Sequence, residues 1–300
     1  MQLQQFEMGS NNLKWLYLAI LSLIWGSSFI LIKKGLVGLT DAQLGSSRIV
    51  LTSIFLFSVG FKSLKQVQRH HWKWIAASGF ISSFFPPFLF AMAQNEIDSA
   101  VASILNSIVP LNTVIVGATL FGILSSRNQI IGVFIGLAGT LMLIVAGAEF
   151  NPNQNYWYSL LIITATVGYA LNVNIIKKYL SDISALAVTT GNFLFVFLPA
   201  LIILYYTGFF ETIFSSAEMQ LAFFYVVILS LFGTAIAKVI FNRLVQIASP
   251  VFASSVTYTM PIVAVLWGVV DGESFSIWQF VAALVILFGV YLGNKRKRQH

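Results

Sequence analysis

Ten runs of roughly 17 to 25 apolar residues divide this chain of 300 residues, at about 13–33, 43–61, 72–94, 99–121, 128–147, 157–176, 183–207, 219–242, 250–270 and 276–293. A helix rises about 1.5 Å per residue, so each run can cross a hydrocarbon core about 30 Å thick. That core offers no water to the backbone, and a helix pairs its own N–H and C=O groups. The chain is 58% hydrophobic and 9% charged, where a soluble domain carries about a quarter charged residues. It cannot clothe a water-facing surface of ordinary size. The expected fold class is therefore all-α integral membrane, with ten transmembrane helices and no segment long enough for a soluble domain.

A polar tail, 1–12, precedes the first run, which lacks a small-x-small cleavage site and reads as a retained helix, not a signal peptide. The net charge of +7 would suggest nucleic acid in a soluble protein. Here the basic residues sit between apolar runs and read as cytoplasmic loops, so no nucleic-acid partner is expected. With the N-terminus in the cytoplasm, the inner side receives Lys14, Lys62, Lys65, Arg69, Lys73, Arg127, Lys177, Lys178, Arg243, Lys295, Arg296, Lys297 and Arg298, which is 13 of the 17 Lys and Arg. Eight of the ten acids fall outside: Asp41, Glu96, Asp98, Glu149, Glu211, Glu218, Asp271 and Glu273. Both termini are expected in the cytoplasm, the chain in the cell inner membrane. Cysteine is absent, which excludes disulfides and thiolate metal sites.

The chain also repeats itself. Residues 99–110 slide onto 250–261 by 151 positions, so that Ser103 meets Ser254, Asn106 meets Thr257, Pro110 meets Pro261 and Gly117 meets Gly268. The small and polar positions recur at steps of four, three and four, which places them on one helix face. Nearer the start, Trp15 meets Trp157, Ser22 meets Thr164 and Gly26 meets Gly168 at 142 positions. The halves are expected at 13–147 and 157–293, joined by an external linker at 148–156 and followed by a basic cytoplasmic tail at 294–300. Five spans per half turn the second half over, giving two inverted five-helix repeats with a binding site between them at the midplane.

Several of these segments resemble the EamA-type transporters of the drug/metabolite transporter superfamily. They are Trp25-Gly-Ser-Ser-Phe-Ile-Leu-Ile-Lys33 in the first run, Arg48 early in the second, the Ala100–Pro110 block, and the Pro250–Gly289 block with Gly272-Glu273. The order and spacing of these segments over the whole chain carry the resemblance. It implies a ten-helix bundle that moves amino acids or other small metabolites. The chain departs from the family pattern at Phe121-Gly-Ile-Leu-Ser-Ser126, where a Gly-Glu pair is usual, at Asp41, near a common proline, and at Lys238, where an apolar or aromatic residue is usual.

Charges at membrane depth cost roughly 2.5–3.5 kcal/mol on insertion scales and ask for a reason. Lys238 is expected about a turn from the cytoplasmic end of the eighth run, sharing a face with Thr234 and Asn242. It either lines a cavity and attracts a carboxylate or phosphate, or snorkels to the headgroups. Arg48 either contacts substrate anions or ties helix ends together; an arginine shared across a family of varied substrates favours the tie. Lys33 and Lys34 read as snorkels at the outer interface. Asn106, Asn172, Asn192, Tyr169, Thr257 and Tyr258 are the candidate uncharged contacts, and Trp25, near mid-span, is a candidate wall. Asn112 and Asn174 are further amides at depth, available for bonds between helices. Pro87, Pro110, Pro199 and Pro261 are expected to kink their helices. Gly132-x-x-x-Gly136-x-x-Gly139 permits close contact with another span of the chain or with a second copy, so the expected state is monomer or homodimer.

His70, His71 and His300 are expected in aqueous segments, with no HExxH spacing and no metal or other cofactor. There is no nucleotide-binding P-loop, and no carboxylate near mid-span of the kind that carries protons in many pumps. Together these features point to a secondary transporter of a small polar metabolite, an amino acid or a related zwitterion or anion, working by alternating access. Facilitated diffusion or exchange is favoured over tight proton coupling, and no enzyme activity is expected. The rivals are a lipid-modifying intramembrane enzyme, which lacks a nucleophile–base pair at depth here, and a non-transporting scaffold, which leaves the duplicated stripe unexplained.

Overall fold

The computed structural model of the chain describes residues 2–122 and 127–294. The basic tail residues at 295–298, and 123–126 of the departure from the Gly-Glu pattern, lie outside the described residues. Among those residues every regular element is helical. Nine helices are long and apolar enough to cross a membrane: α1 Asn12–Leu36, α2 Asp41–Gln66, α3 Trp72–Gln94, α4 Ser99–Leu120, α5 Ile130–Gly147, α6 Tyr156–Tyr179, α7 Ala185–Tyr206, α8 Ala217–Ile247 and α9 Pro250–Val270. A shorter apolar helix, α10 Ile277–Gly289, completes the ten. The polar start of the chain is helical from Gln2 and runs unbroken into α1.

The packing repeats between the halves. α1 lies against α8 and α9, and α6 lies against α3 and α4. α2 packs on α7, and α5 packs on α10. Exchanging the halves maps each contact onto another or onto itself, as an inverted duplication requires. Matching start signals set the second helix of each half: the Thr40 side chain accepts from the Gln43 N–H, and Ser184 from the Ala187 N–H.

The Gly132–Gly136–Gly139 stripe is consumed inside the chain. A Cβ on Gly289 of α10 would lie 2.5 Å from Gly136 N and 2.8 Å from Gly132 O, and one on Gly139 would lie 2.8 Å from Ile286 N. Backbone meets backbone there, so α5 and α10 form one tight pair.

At one end of the bundle the lysines are paired, which corrects the expectation of snorkels. Lys33 Nζ lies 2.9 Å from both Asp271 and Glu273, and Lys34 pairs with Asp271. The Glu273 side chain is only 3% exposed. It accepts from the Ser99 N–H at 3.1 Å, the Ser99 hydroxyl at 2.6 Å and the Ala100 N–H at 3.1 Å, so it caps α4 as well. Gly272, at φ +85°, makes the turn that presents it. The related end of α9 manages without such a glutamate. Ser249 accepts from the Phe252 N–H, and Pro250 has no N–H to satisfy. At that opposite end the mate of Lys33 is Lys177, which bonds the Gln246 and Ala248 carbonyls at 3.0 and 2.8 Å. The lysines at one end are held by carboxylates, and Lys177 at the other by backbone carbonyls.

Replacing Gly289 with Leu is expected to part α5 from α10 and lower the melting midpoint in detergent by several degrees, read by intrinsic fluorescence. The bond from Lys34 holds the Asp271 carboxyl below the usual carboxylate range. Its stabilisation is thus fully present above the ordinary value of about 4 and is lost as pH falls through the depressed one. The difference in melting midpoint between wild type and Lys34→Met is expected at pH 7 and should shrink steadily as pH falls below about 4. A difference that does not change at all with falling pH would contradict the pairing.

Candidate functional site

Four helices lose their regular backbone at one level of the bundle. In α3 the segment Phe80–Phe84 widens into a π turn, and in α8 so does Leu229–Ile236. Shifting the first by 151 positions places it inside the second. α4 breaks after Asn106 and resumes at Val109, and α9 passes from Pro250–Ser254 through a 3-10 turn at Ser255–Tyr258 to Met260. Pro110 and Pro261 open both resumed helices. Each lacks the N–H that would bond the carbonyl four residues back, at Asn106 and Thr257. Pro199, in contrast, sits within the continuous helix Ala185–Tyr206.

Pro86 and Pro87 act in the same way on α3. The Ser82 and Ser83 carbonyls have no N–H four residues on. Lys238 supplies the missing donor from the other half: its ammonium bonds Ser82 O at 2.9 Å, Ser82 Oγ at 3.0 Å and Ser83 Oγ at 2.6 Å. Because α8 extends to Ile247, Lys238 sits more than two turns from that end, deeper than the expected single turn. The symmetry mate of Ser82 is Gly233. There the Ala237 N–H bonds Phe232 O and Thr234 O, and the Gly233 carbonyl between them receives the Trp25 indole N–H at 2.9 Å. Each half thus sends one side chain to complete the widened helix of the other.

These breaks surround a cavity with about 860 Å³ of space between its walls, open mouth included. Its lining comes from α1, α2, α3, α4, α6, α8 and α9. Of the expected contacts it gathers Trp25, Arg48, Asn106, Tyr169, Asn172, Lys238 and Thr257. Phe29, Phe90 and Phe241 add aromatic surface, Trp25 lying 5.0 Å from Phe241 and Tyr169 stacked 6.3 Å from Phe90. Ser254, on the repeated stripe, and Thr234, on the face of Lys238, line it as well; Ser28, Ser82 and Ser83 do so without having been marked, and prolines four residues past Ser82 and Ser83 are the available signal.

Other expected contacts lie elsewhere. Asn242 is buried and donates to Thr189 Oγ1 at 2.9 Å, tying α8 to α7. Asn192 is buried beside Ser78, whose hydroxyl lies 3.1 Å from it and 2.5 Å from Asn172 Oδ1. That chain links α7, α3 and α6. Tyr258 ends the 3-10 turn of α9, outside the lining. Asn112 donates to Thr166 Oγ1 and Asn174 to the Ala170 and Thr113 carbonyls, all bonds within or between helices.

The polar groups of the lining differ in what is left free. All three protons of Lys238 have acceptors within the chain. The Arg48 guanidinium donates through Nε to Thr234 Oγ1 at 2.8 Å, and its two terminal amino groups have no partner among the described residues. No Asp or Glu is among the lining residues.

Away from the cavity, His70, His71 and Asp182 bring three potential metal-ligand atoms within 4.8 Å of one another. His71 is only 1% exposed, in contrast with the aqueous setting expected for it. Its Nδ1 accepts from the Gln68 N–H at 3.1 Å, and Nε2 lies 2.9 Å from Asp182 Oδ2. A neutral ring so engaged carries its proton on Nε2 and has no lone pair left for a cation. The contact instead joins the α2–α3 and α6–α7 connections.

The model of the EamA-like transporter family matches residues 13–145 and again 156–294. The chain belongs to the EamA-like transporter family. Each match takes in one of the two halves seen in the packing. The "Uncharacterized inner membrane transporter YedA" of Escherichia coli strain K12 is 26% identical over 275 residues, covering 91% of this chain and 87% of that protein. The YedA proteins of strains O6:H1 and O157:H7 match to the same extent. One solved crystal structure superposes with a TM-score of 0.65 at 19% identity, over 93% of this chain and 95% of the other, and supports the fold. As an EamA-like protein this chain is a membrane transporter with a bilayer and a small-molecule substrate as its partners.

Trp25→Phe keeps the aromatic wall but leaves the Gly233 carbonyl without its donor. A loss of about 1 kcal/mol, the usual net worth of one hydrogen bond, is expected as a lower melting midpoint. No change would mean that the indole bond does not hold α1 to α8.

Proposed function

We propose that this chain is a secondary transporter of a small polar metabolite, an amino acid or a related zwitterion or anion, which it moves across the inner membrane by alternating access. The observation that supports this most is the cavity at the level where α3, α4, α8 and α9 all break, walled by both inverted halves. Helix breaks of this kind free backbone groups for a solute while the remaining turns keep the spans paired. Rocking one half against the other about these breaks would open the site to either side in turn. In this reading Arg48, Asn106, Tyr169, Asn172 and Thr257 contact the solute, and Trp25 walls it. Lys238 sets the local positive charge and holds the α3 break in shape. Asn192 and Asn242 act at one remove, through the helices that they join.

The orientation proposed places both termini in the cytoplasm, since that arrangement collects most of the Lys and Arg there. The ionic end at Lys33, Lys34, Asp271 and Glu273 then faces outward. Substrate flows down its own gradient or in exchange, because no carboxylate lines the site to carry a proton.

Uptake of a panel of labelled amino acids and organic acids into proteoliposomes tests the reading. Saturable, protein-dependent flux of at least one solute, recovered chemically unchanged, is expected. Lys238→Ala should lower that flux by about tenfold or more. Absence of flux for every solute would remove the support for transport, and a chemically altered solute would favour the intramembrane enzyme.

A further inference from the structure

The cavity is charged on one side only. Arg48 and Lys238 both line it, and none of the lining residues is acidic. Lys238 is engaged by the Ser82 carbonyl and the Ser82 and Ser83 hydroxyls, so its role there is largely filled by the chain itself. Arg48 is held at one atom. Its Nε–H to Thr234 fixes the plane of the guanidinium and leaves the terminal amino groups without an acceptor among the described residues. A planar fork of N–H donors fits the two oxygens of a carboxylate. Two further groups of the lining have no hydrogen-bond partner among the described residues, the Tyr169 hydroxyl and the Asn106 amide. Asn106 is 4% exposed, and its Oδ1 is buried without a partner. The remaining wall is aromatic: Phe90 against Tyr169, and Trp25 against Phe241.

Resting on the transport reading, we propose that the substrate is an organic monocarboxylate anion with an apolar, ring-bearing body, its carboxylate held by Arg48 and its body between the aromatic walls. A monoanion offsets a cation that the chain leaves without a counterion. A zwitterion brings an ammonium group into the field of two cations, with no carboxylate to receive it. A cationic amine is disfavoured outright. Arg48 is thus the specificity-determining residue, and Lys238 keeps the α3 break in shape beside it.

Three solutes with one skeleton separate charge from shape: phenylpyruvate, phenylalanine and phenethylamine carry net charges of about −1, 0 and +1 at neutral pH. Flux of each into proteoliposomes of the full chain, with Arg48→Lys alongside, tests the proposal. Phenylpyruvate is expected to move at least about tenfold faster than phenylalanine, a difference of about 1.4 kcal/mol, and phenethylamine not at all. Arg48→Lys keeps the charge but loses the fork, and should slow phenylpyruvate by about tenfold while α-helical circular dichroism stays unchanged. If that variant fails to fold, the raised melting midpoint of the wild type in phenylpyruvate, absent with phenylalanine, stands in its place. Phenylalanine moving as fast as phenylpyruvate would overturn the proposal. So would flux confined to other members of the amino-acid and organic-acid panel, which leaves the transport reading intact. No flux of any solute would sink both.

Discussion

Hydrocarbon pairs with no peptide group, and that constraint governs where this bundle can be irregular. A broken helix is stable there only if something inside the protein meets the carbonyls and N–H groups that the break releases. Here two side chains do so from opposite halves: Lys238 at the Ser82 carbonyl and Trp25 at the Gly233 carbonyl. Each break is completed by the other half. Neither five-helix unit could keep its widened helix alone, so the duplication is interlocked as well as repeated.

The same constraint explains where the cavity lies. Space opens at Asn106, Thr257, Ser82 and Gly233, where the regular ladder is interrupted, and not along α5 and α10, where backbones touch. The tight α5–α10 pair and the α2–α7 contact leave the remaining helices to form the walls, with α2 contributing Arg48 to them. Symmetry fails at that residue. Placing the Thr40 cap on the Ser184 cap puts Arg48 on Asn192, and Asn192 is spent on Ser78 between α3 and α7. One half lends the cavity a cation, while its counterpart is used as packing.

Sequence alone carried the fold far because length and oiliness decide it: the apolar runs give the spans, and the odd number per half gives the inversion. The Asn106 and Thr257 stripe was legible because proline and small residues recur at helical spacing. Asn192 and Asn242 were not separable from cavity amides, since periodicity names a helix face without saying which neighbour covers it. The widening of α8 left no mark, because no proline stands there; it shows only through Gly233 and the Thr234 hydroxyl that bonds Leu229 O. The pairing of Lys33 and Lys34 is hidden in the sequence for a related reason. Their partners, Asp271 and Glu273, lie some 240 residues away, and nothing local announces them.

The two ends of the bundle are fastened by different forces. Parting α1 from the α9–α10 connection separates Lys33 and Lys34 from carboxylates, one of them nearly dry, while parting α6 from α8 takes the Lys177 ammonium from the uncharged carbonyls of Gln246 and Ala248. Pairs of opposite charges weaken in salt more than a bond from an ammonium to an uncharged carbonyl does. The holding strength of the two ends therefore depends to different degrees on the surrounding medium. Two near-twin halves are thus fastened at their ends by contacts of unequal sensitivity to salt.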